Sequence, residues 1–393
     1  MRASTGNGPR FAPVKSLSLA VNRTSGRRDN LPAAKTLRQF KLTGRDPEDI
    51  SRIPPAAAET FPSGRYRAAL DNLLDAYGLA GARIELINES ENTTYRIDPT
   101  DGGQPAVLRL YRAGQRTATE IRSELDWMAA LRAQAAISTP RAITARGGQC
   151  VVELALPDDE TRSCVLFEFL TGTEPPADAL GPWFERLGAI SAAIHLHGRT
   201  WRRPPSFERP VLDYETLIGS RAVWGSWERA PGLDAAAVTA LRRASEQIAR
   251  RLIEYGQAPD RFGLIHGDLR LANLLADGQR IHVIDFDDCG SSWYLYDLST
   301  SISLLEHLPE TESLVQMWLR GYQRVLPLTE VQIEMVRHLI MMRRIQVLSW
   351  FGRNRGSPLV LQYAPVVVPA TVAAAEGYLR LGGRRITRFL PKG

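Results

Sequence analysis

Apolar positions recur at helical spacing from residue 61 onward (Tyr66, Leu70, Leu73, Leu74, Tyr77), and the run ends near Gly78 and Gly81. Strand-type segments follow at 82–87, 94–97 and 106–111, with Asp101-Gly102-Gly103 supplying a turn between the last two. A helix is expected over 117–133, and a hairpin pairs 150–156 with 163–169. Residues 183–197 carry Phe184, Leu187, Ile190 and Ile194 on one helical stripe. A Trp-, Arg- and Pro-rich stretch at 200–232 precedes a second long helix over 235–255 with an Arg-rich polar face. An apolar run then reaches His266-Gly267-Asp268-Leu269, and a β-type run, Ile281-His282-Val283-Ile284, delivers Asp285. The chain beyond is helical, most regularly over 330–352, and the apolar stretch 358–375 is broken by Pro365 and Pro369.

Composition narrows the class. At 393 residues and 44% hydrophobic, the chain has enough apolar content for two lobes with cores. Cys150, Cys164 and Cys289 are odd in number and lack metal-type spacing, which argues against a disulfide framework or a zinc site and fits a reducing cytoplasm. No uninterrupted apolar run is long enough to predict a membrane span. The net charge of +6 is local: residues 1–45 hold ten Lys or Arg and one acid, leaving 39 basic against 42 acidic residues elsewhere. A slightly acidic body offers no nucleic-acid face. Residues 1–58 read as a basic, disordered tail that also has the composition of a transit peptide.

The chemistry sits between residues 262 and 300. Asp268, Asn273 five residues on, and Asp285 after the next strand give an acid, an amide and a second acid. Phosphoryl transfer from a nucleotide uses these types: one carboxylate takes the proton of an attacking hydroxyl, while an amide oxygen and a second carboxylate hold Mg2+ against the phosphates. Taken singly, Asp268 could cap a helix and Asp285 could end a strand; together with His266-Gly267 the spacing favours the chemical reading. HGDLxxxN followed by IDFDD resembles the catalytic loop and metal aspartate of the aminoglycoside phosphotransferase/choline kinase family, relatives of the protein kinases. The IDFDDC run and residues 341–358 are similar to the stress response kinase A branch.

The resemblance implies an α+β, two-lobe protein-kinase-like fold, with a small antiparallel-sheet N-lobe over 59–170 and a larger, mainly helical C-lobe over 171–393. It implies Asp268 as catalytic base, Asn273 and Asp285 as Mg2+ ligands, and ATP as the donor. Arg109 takes the place of the family's strand lysine, with Glu124, or Glu120 one turn away, as its ion-pair partner. Residues 88–94 would cover the phosphates without a glycine-rich loop, and adenine would bind at the hinge, Glu168, Phe169 and Leu170. Asp287 either joins the metal site or faces water. Asp297 reads as a helix cap or a buried anchor for the catalytic loop, His266 as a hydrogen-bonding partner of the backbone near Asp285, and His195 and His197 as structural. Arg343, Arg344, Trp350 and Arg353 either line an acceptor pocket or, for the first two, form a solvated face, with Trp350 a core residue. The expected activity is transfer of the γ-phosphoryl of ATP to a hydroxyl of a small molecule. A protein Ser/Thr acceptor is the alternative and a nucleotide-binding pseudokinase a third reading.

Overall fold

The computed structural model describes residues 64–381 apart from 90, 157–159, 177–178 and 307, so the basic segment 1–58 lies outside the described residues. The chain divides into two compact units, one built from residues up to 118 with 141–173 and the other from 119–140 with 174 onward.

The smaller unit packs helix α1 (Gly64–Asp75) on an antiparallel sheet. Strands β1 (Arg83–Glu89), β2 (Thr93–Asp98) and β3 (Ala106–Leu110) form a meander. Strand β4 (Ala142–Ile143) and strand β5 (Val152–Ala155) both pair with one side of β6 (Thr161–Glu168), whose other side meets β3. Side chains alternate across a strand. Tyr95 and Ile97 of β2, Leu108 and Leu110 of β3, and Cys164 and Leu166 of β6 therefore share one core with Leu70, Leu73 and Leu74 of α1. Val107 and Arg109 take the opposite face of β3.

The larger unit contains α2 (Ala118–Gln134), α3 (Leu180–Thr200), the short α4 (Tyr214–Leu217) and α5 (Ala235–Tyr255). Two small ribbons carry the motif: β7 (Phe262–Ile265) pairs with β10 (Gly290–Trp293), and β8 (Leu274–Asp277) with β9 (Arg280–Val283). Helices α6 (Tyr296–Ser301), α7 (Thr311–Gln323), α8 (Glu330–Arg353) and α9 (Pro358–Leu381) complete it. Asp234 caps α5 by accepting from the Ala237 N–H at 2.7 Å. Thr329 and Gln332 form a reciprocal capping box at the start of α8.

Helices α3 and α7 approach until backbone meets backbone. A Cβ on Gly188 would lie 2.0 Å from the Trp318 carbonyl oxygen, and one on Gly321 would lie 1.8 Å from that of Glu185. Only glycine fits this crossing.

Helix α9 is helical, as expected of the chain after residue 300, and runs through the two prolines that interrupt its apolar stretch. Pro365 and Pro369 lie inside a continuous helix, both on its exposed side, four residues apart. Their missing N–H groups and ring clashes fall on the solvent face, where the helix bends at least cost. By length and composition alone, α9 is long and apolar enough to cross a membrane; a third of its apolar stretch is buried, against α5 and α8.

Helix α8 is buried nearly all round, including His338. His338 Nε2 accepts from Arg337 Nε at 3.2 Å, which puts the imidazole proton on Nδ1, 2.6 Å from the Tyr378 hydroxyl. Burial, with the charges of Arg337 and Arg251, pushes its pKa down to about 3.

Two outcomes are expected. Gly321→Ala forces α3 and α7 apart and destabilises the protein by about 2 kcal/mol or more in denaturant titration. His338 stays neutral in the folded chain while the unfolded chain takes up a proton near its ordinary value. Its contribution to stability is therefore complete above about pH 6.5 and is lost as pH falls toward 3. The stability difference between wild type and His338→Gln should shrink between pH 7 and pH 4.

Candidate active site

Strand β7 leads into His266-Gly267-Asp268. Gly267 has φ +84°, and a Cβ there would lie 2.2 Å from the Asp288 carbonyl oxygen, so the loop requires glycine. The buried carboxylate of Asp297, on α6, holds this loop. Its Oδ1 accepts the Gly267 N–H at 2.8 Å, and Oδ2 accepts the His266 N–H at 3.1 Å and meets His195 Nε2 at 2.8 Å. His195 Nδ1 in turn lies 2.9 Å from the Tyr322 hydroxyl. Burial, then the Asp297 charge, holds the Tyr322 phenol well above its usual pKa. Asp297 is thus the buried anchor, and His195 is structural. His197 is structural as well, 3.1 Å from Gln134 Oε1 and 3.3 Å from the Trp127 indole nitrogen.

The two halves of the motif are stitched by backbone. His266 Nε2 donates to the Ile284 carbonyl at 3.1 Å, while its Nδ1 accepts the Asp268 N–H at 3.3 Å. The Ile284 N–H donates to the Asn273 carbonyl at 3.0 Å. Asn273 Nδ2 donates to the Asp268 carbonyl at 2.8 Å and lies 3.3 Å from its Oδ2. Asp268 and Asn273 are therefore joined directly, and the backbone bond of Ile284 fixes the residue before Asp285 to the same loop. Asp285 has φ +66° and ψ 60°, a left-handed conformation that aspartate tolerates better than most residues. Asp287 is buried, which removes the reading that it simply faces water.

The Asp268 carboxylate is held on both oxygens. Arg343 Nη2, from α8, donates to Oδ1 at 2.9 Å, and Arg270 Nε donates to Oδ2 at 3.1 Å. The solvated-face reading of Arg343 and Arg344 fails: both are nine-tenths or more buried, and Arg344 lies 4.0 Å from Glu306. Burial, opposed by Arg344, raises the Glu306 pKa. Trp350 is half-buried and Arg353 exposed.

The donor set suits a hard cation. Asn273 Nδ2 donates to a carbonyl, and the amide oxygen of Asn273 with the carboxylate of Asp285 are the oxygen types that could hold such a metal. Among the described residues no group of three or more His, Cys, Asp or Glu forms a metal cage. Mg2+ does not need one, since it takes one or two protein oxygens and fills its octahedron with water and phosphate.

In the smaller unit Arg109 is 5% exposed on β3, with its guanidinium 5.8 Å from the ring centroids of both Tyr111 and Phe167. The segment read from sequence as a hinge follows β6. The Glu168 N–H donates to Arg141 and that of Phe169 to Pro105, and Arg96 stacks over the Phe169 ring at 4.7 Å. Leu170 is half-buried.

In the larger unit Glu124 is buried on α2, and it has a neighbour that sequence reasoning did not name. Arg209 Nη1 lies 4.0 Å from the Glu124 carboxylate and donates to the Glu120 carbonyl at 3.1 Å. Its Nε donates to the Cys289 carbonyl at 2.8 Å and its Nη2 to the Asp287 carbonyl. One guanidinium so ties α2 to the turn that follows Asp285. The Glu-Arg-Pro in which it stands has no spacing signature that would have exposed it.

Comparison with known proteins agrees with this geometry. Residues 83–331 match the profile of the phosphotransferase enzyme family. A microcompartment-associated aminopropanol kinase of known structure is 38% identical, with a TM-score of 0.74 over 80% of this chain and 98% of that one. An amicoumacin kinase solved with AMP-PNP and Ca2+ is 18% identical, with a TM-score of 0.64 over 78% of this chain and 95% of that one. The Bacillus subtilis amicoumacin kinase is 24% identical over 227 residues, 57% of this chain and 63% of its own. A Deinococcus radiodurans protein is 28% identical over 324 residues, 78% of this chain and 88% of its own. The fold is kinase-like, an antiparallel-sheet unit with a mainly helical one. The chain belongs to the phosphotransferase enzyme family and is a kinase.

Replacing Asp297 by Ala strands two backbone N–H groups and the His195 imidazole in the core. A loss of about 3–5 kcal/mol is expected in denaturant unfolding, against less than about 1 kcal/mol for an exposed acid such as Glu254.

Proposed function

We propose that this kinase moves the γ-phosphoryl group of Mg·ATP to the hydroxyl of a small molecule. Asp268 accepts the hydroxyl proton as the acceptor oxygen bonds to the γ-phosphorus and the bond from that phosphorus to the bridging oxygen breaks, releasing ADP. Asn273 and Asp285 hold Mg2+, which when bound supplies charge neutralisation at the phosphates. Arg109 is the candidate phosphate contact on the strand, where its permanent charge suits that task. The observation that carries this reading is the shared loop on which Asp268 and Asn273 are hydrogen-bonded and which Ile284 ties to Asp285.

A short alcohol is the favoured acceptor. Similarity to an aminopropanol kinase over nearly the whole of that chain supports it. The guanidinium groups of Arg343 and Arg270 beside Asp268 oppose a polycation such as an aminoglycoside. Three free cysteines support a cytoplasmic setting.

The test is ADP release from Mg·ATP against a panel of short amino alcohols, other small alcohols, aminoglycosides and a generic protein substrate. Acceptor-dependent turnover should appear with a short alcohol and fall by about 10²–10⁴-fold in Asp268→Asn, with ATP binding kept. Asp285→Asn should raise the Mg2+ needed for half-maximal rate by about tenfold or more. Phosphate transferred to the protein substrate alone would move the acceptor assignment to a protein hydroxyl.

A further inference from the structure

We infer that Arg343 is a positioning residue for Asp268, a guanidinium fixed inside α8 that sets the carboxylate in the orientation from which it takes the acceptor proton. The inference rests on the reading of Asp268 as the base.

Arg343 is anchored independently of the aspartate. Its Nε donates to Ser303 Oγ at 2.8 Å, and its Nη1 to Gln346 Oε1 at 2.9 Å. The Tyr296 hydroxyl donates to the same Gln346 oxygen, which closes a small ring of polar groups around Nη1. Trp224 lies under the guanidinium, 5.6 Å from ring centroid to Cζ. Ser303 comes from the turn after α6, where Leu304 has φ +67°, a conformation that a leucine adopts only under constraint from its surroundings. With Nε and Nη1 committed, the plane of the fork is set, and Nη2 points at Asp268 Oδ1.

The other carboxylate oxygen has a different kind of partner. Oδ2 takes its donors from Arg270 and Asn273, on the catalytic loop itself. These partners move with the loop. Arg343, 75 residues away in sequence, ties the carboxylate to the helical core. A lysine could not do the same, because a single ammonium cannot hold Ser303, Gln346 and Asp268 in one plane. Nor does stability alone account for an arginine here: an apolar side chain of similar volume in a buried helix is often neutral or stabilising relative to a buried ion pair.

A positioning residue is expected to act on kcat. Misplacing a reacting group by about 1 Å costs about 10²-fold. Arg343→Met should lower kcat by about 10²-fold, with KM for ATP and for the acceptor within about 3-fold of wild type; Arg343→Lys should recover only part of the loss. In an Asp268→Asn background, adding Arg343→Met should change the residual rate by less than about 3-fold, because the group it orients is already gone. If Arg343→Met does not fold, Ser303→Ala removes one anchor and leaves the ion pair in place; a fall in kcat of about 3–10-fold is expected, again at constant KM. The inference is overturned if Arg343→Met or Ser303→Ala keeps wild-type kcat, if the loss falls wholly on acceptor KM, or if the Arg343 and Asp268 losses multiply. Full activity in Asp268→Asn would instead overturn the base assignment itself.

Discussion

Everything in the larger unit that concerns chemistry hangs on one buried carboxylate. Asp297 has no solvent, so each of its oxygens needs donors from the protein, and it finds them in the backbone of His266 and Gly267 and in His195. The arrangement works both ways. The loop that carries Asp268 turns with glycine in the left-handed region and exposes its N–H groups inward, and those groups are satisfied by the acceptor held at that point. Because α3 supplies His195 and α6 supplies Asp297, the loop is pinned to two helices rather than to its own strand. The close crossing of α3 and α7 at Gly188 and Gly321 then places Tyr322 behind His195.

Buried arginines supply the second tier of order. Arg343 fastens the Asp268 carboxylate, and Arg209 fastens the turn after Asp285 to α2. Both sit outside the motif. In water such pairs contribute little, but inside the protein a guanidinium must use nearly all of its donors, and the geometry this demands is narrow. In the role proposed for Asp268, a base that must meet a hydroxyl at hydrogen-bond distance, that narrowness is an advantage.

The family and the loop that carries Asp268 and Asn273 were legible in the sequence because the residues that signal them are local. Asp268 and Asn273 share one loop, Asp285 follows one strand later, and the types of residue suit the chemistry proposed for them. Most long elements were legible as well, since α3, α5 and the β1–β3 meander carry clear periodicity. What escaped were residues whose roles depend on a partner far along the chain. Arg343 and Arg344 resembled a charged surface only because their neighbours were read one by one. Helix α8 has no continuous polar stripe between Met335 and Phe351, and in such a helix arginines have nowhere to go but inward. Pro365 and Pro369 interrupt the apolar stretch without ending the helix: two prolines four residues apart lie on one face, and a helix accepts them if that face is solvated.

The most direct test of the account is the identity of the phosphorylated product. Phosphorus NMR of the protein incubated with Mg·ATP and a short amino alcohol should show a phosphate monoester of that alcohol growing with ADP. ATP that binds but yields no ester with any small alcohol, or yields only inorganic phosphate, would contradict it.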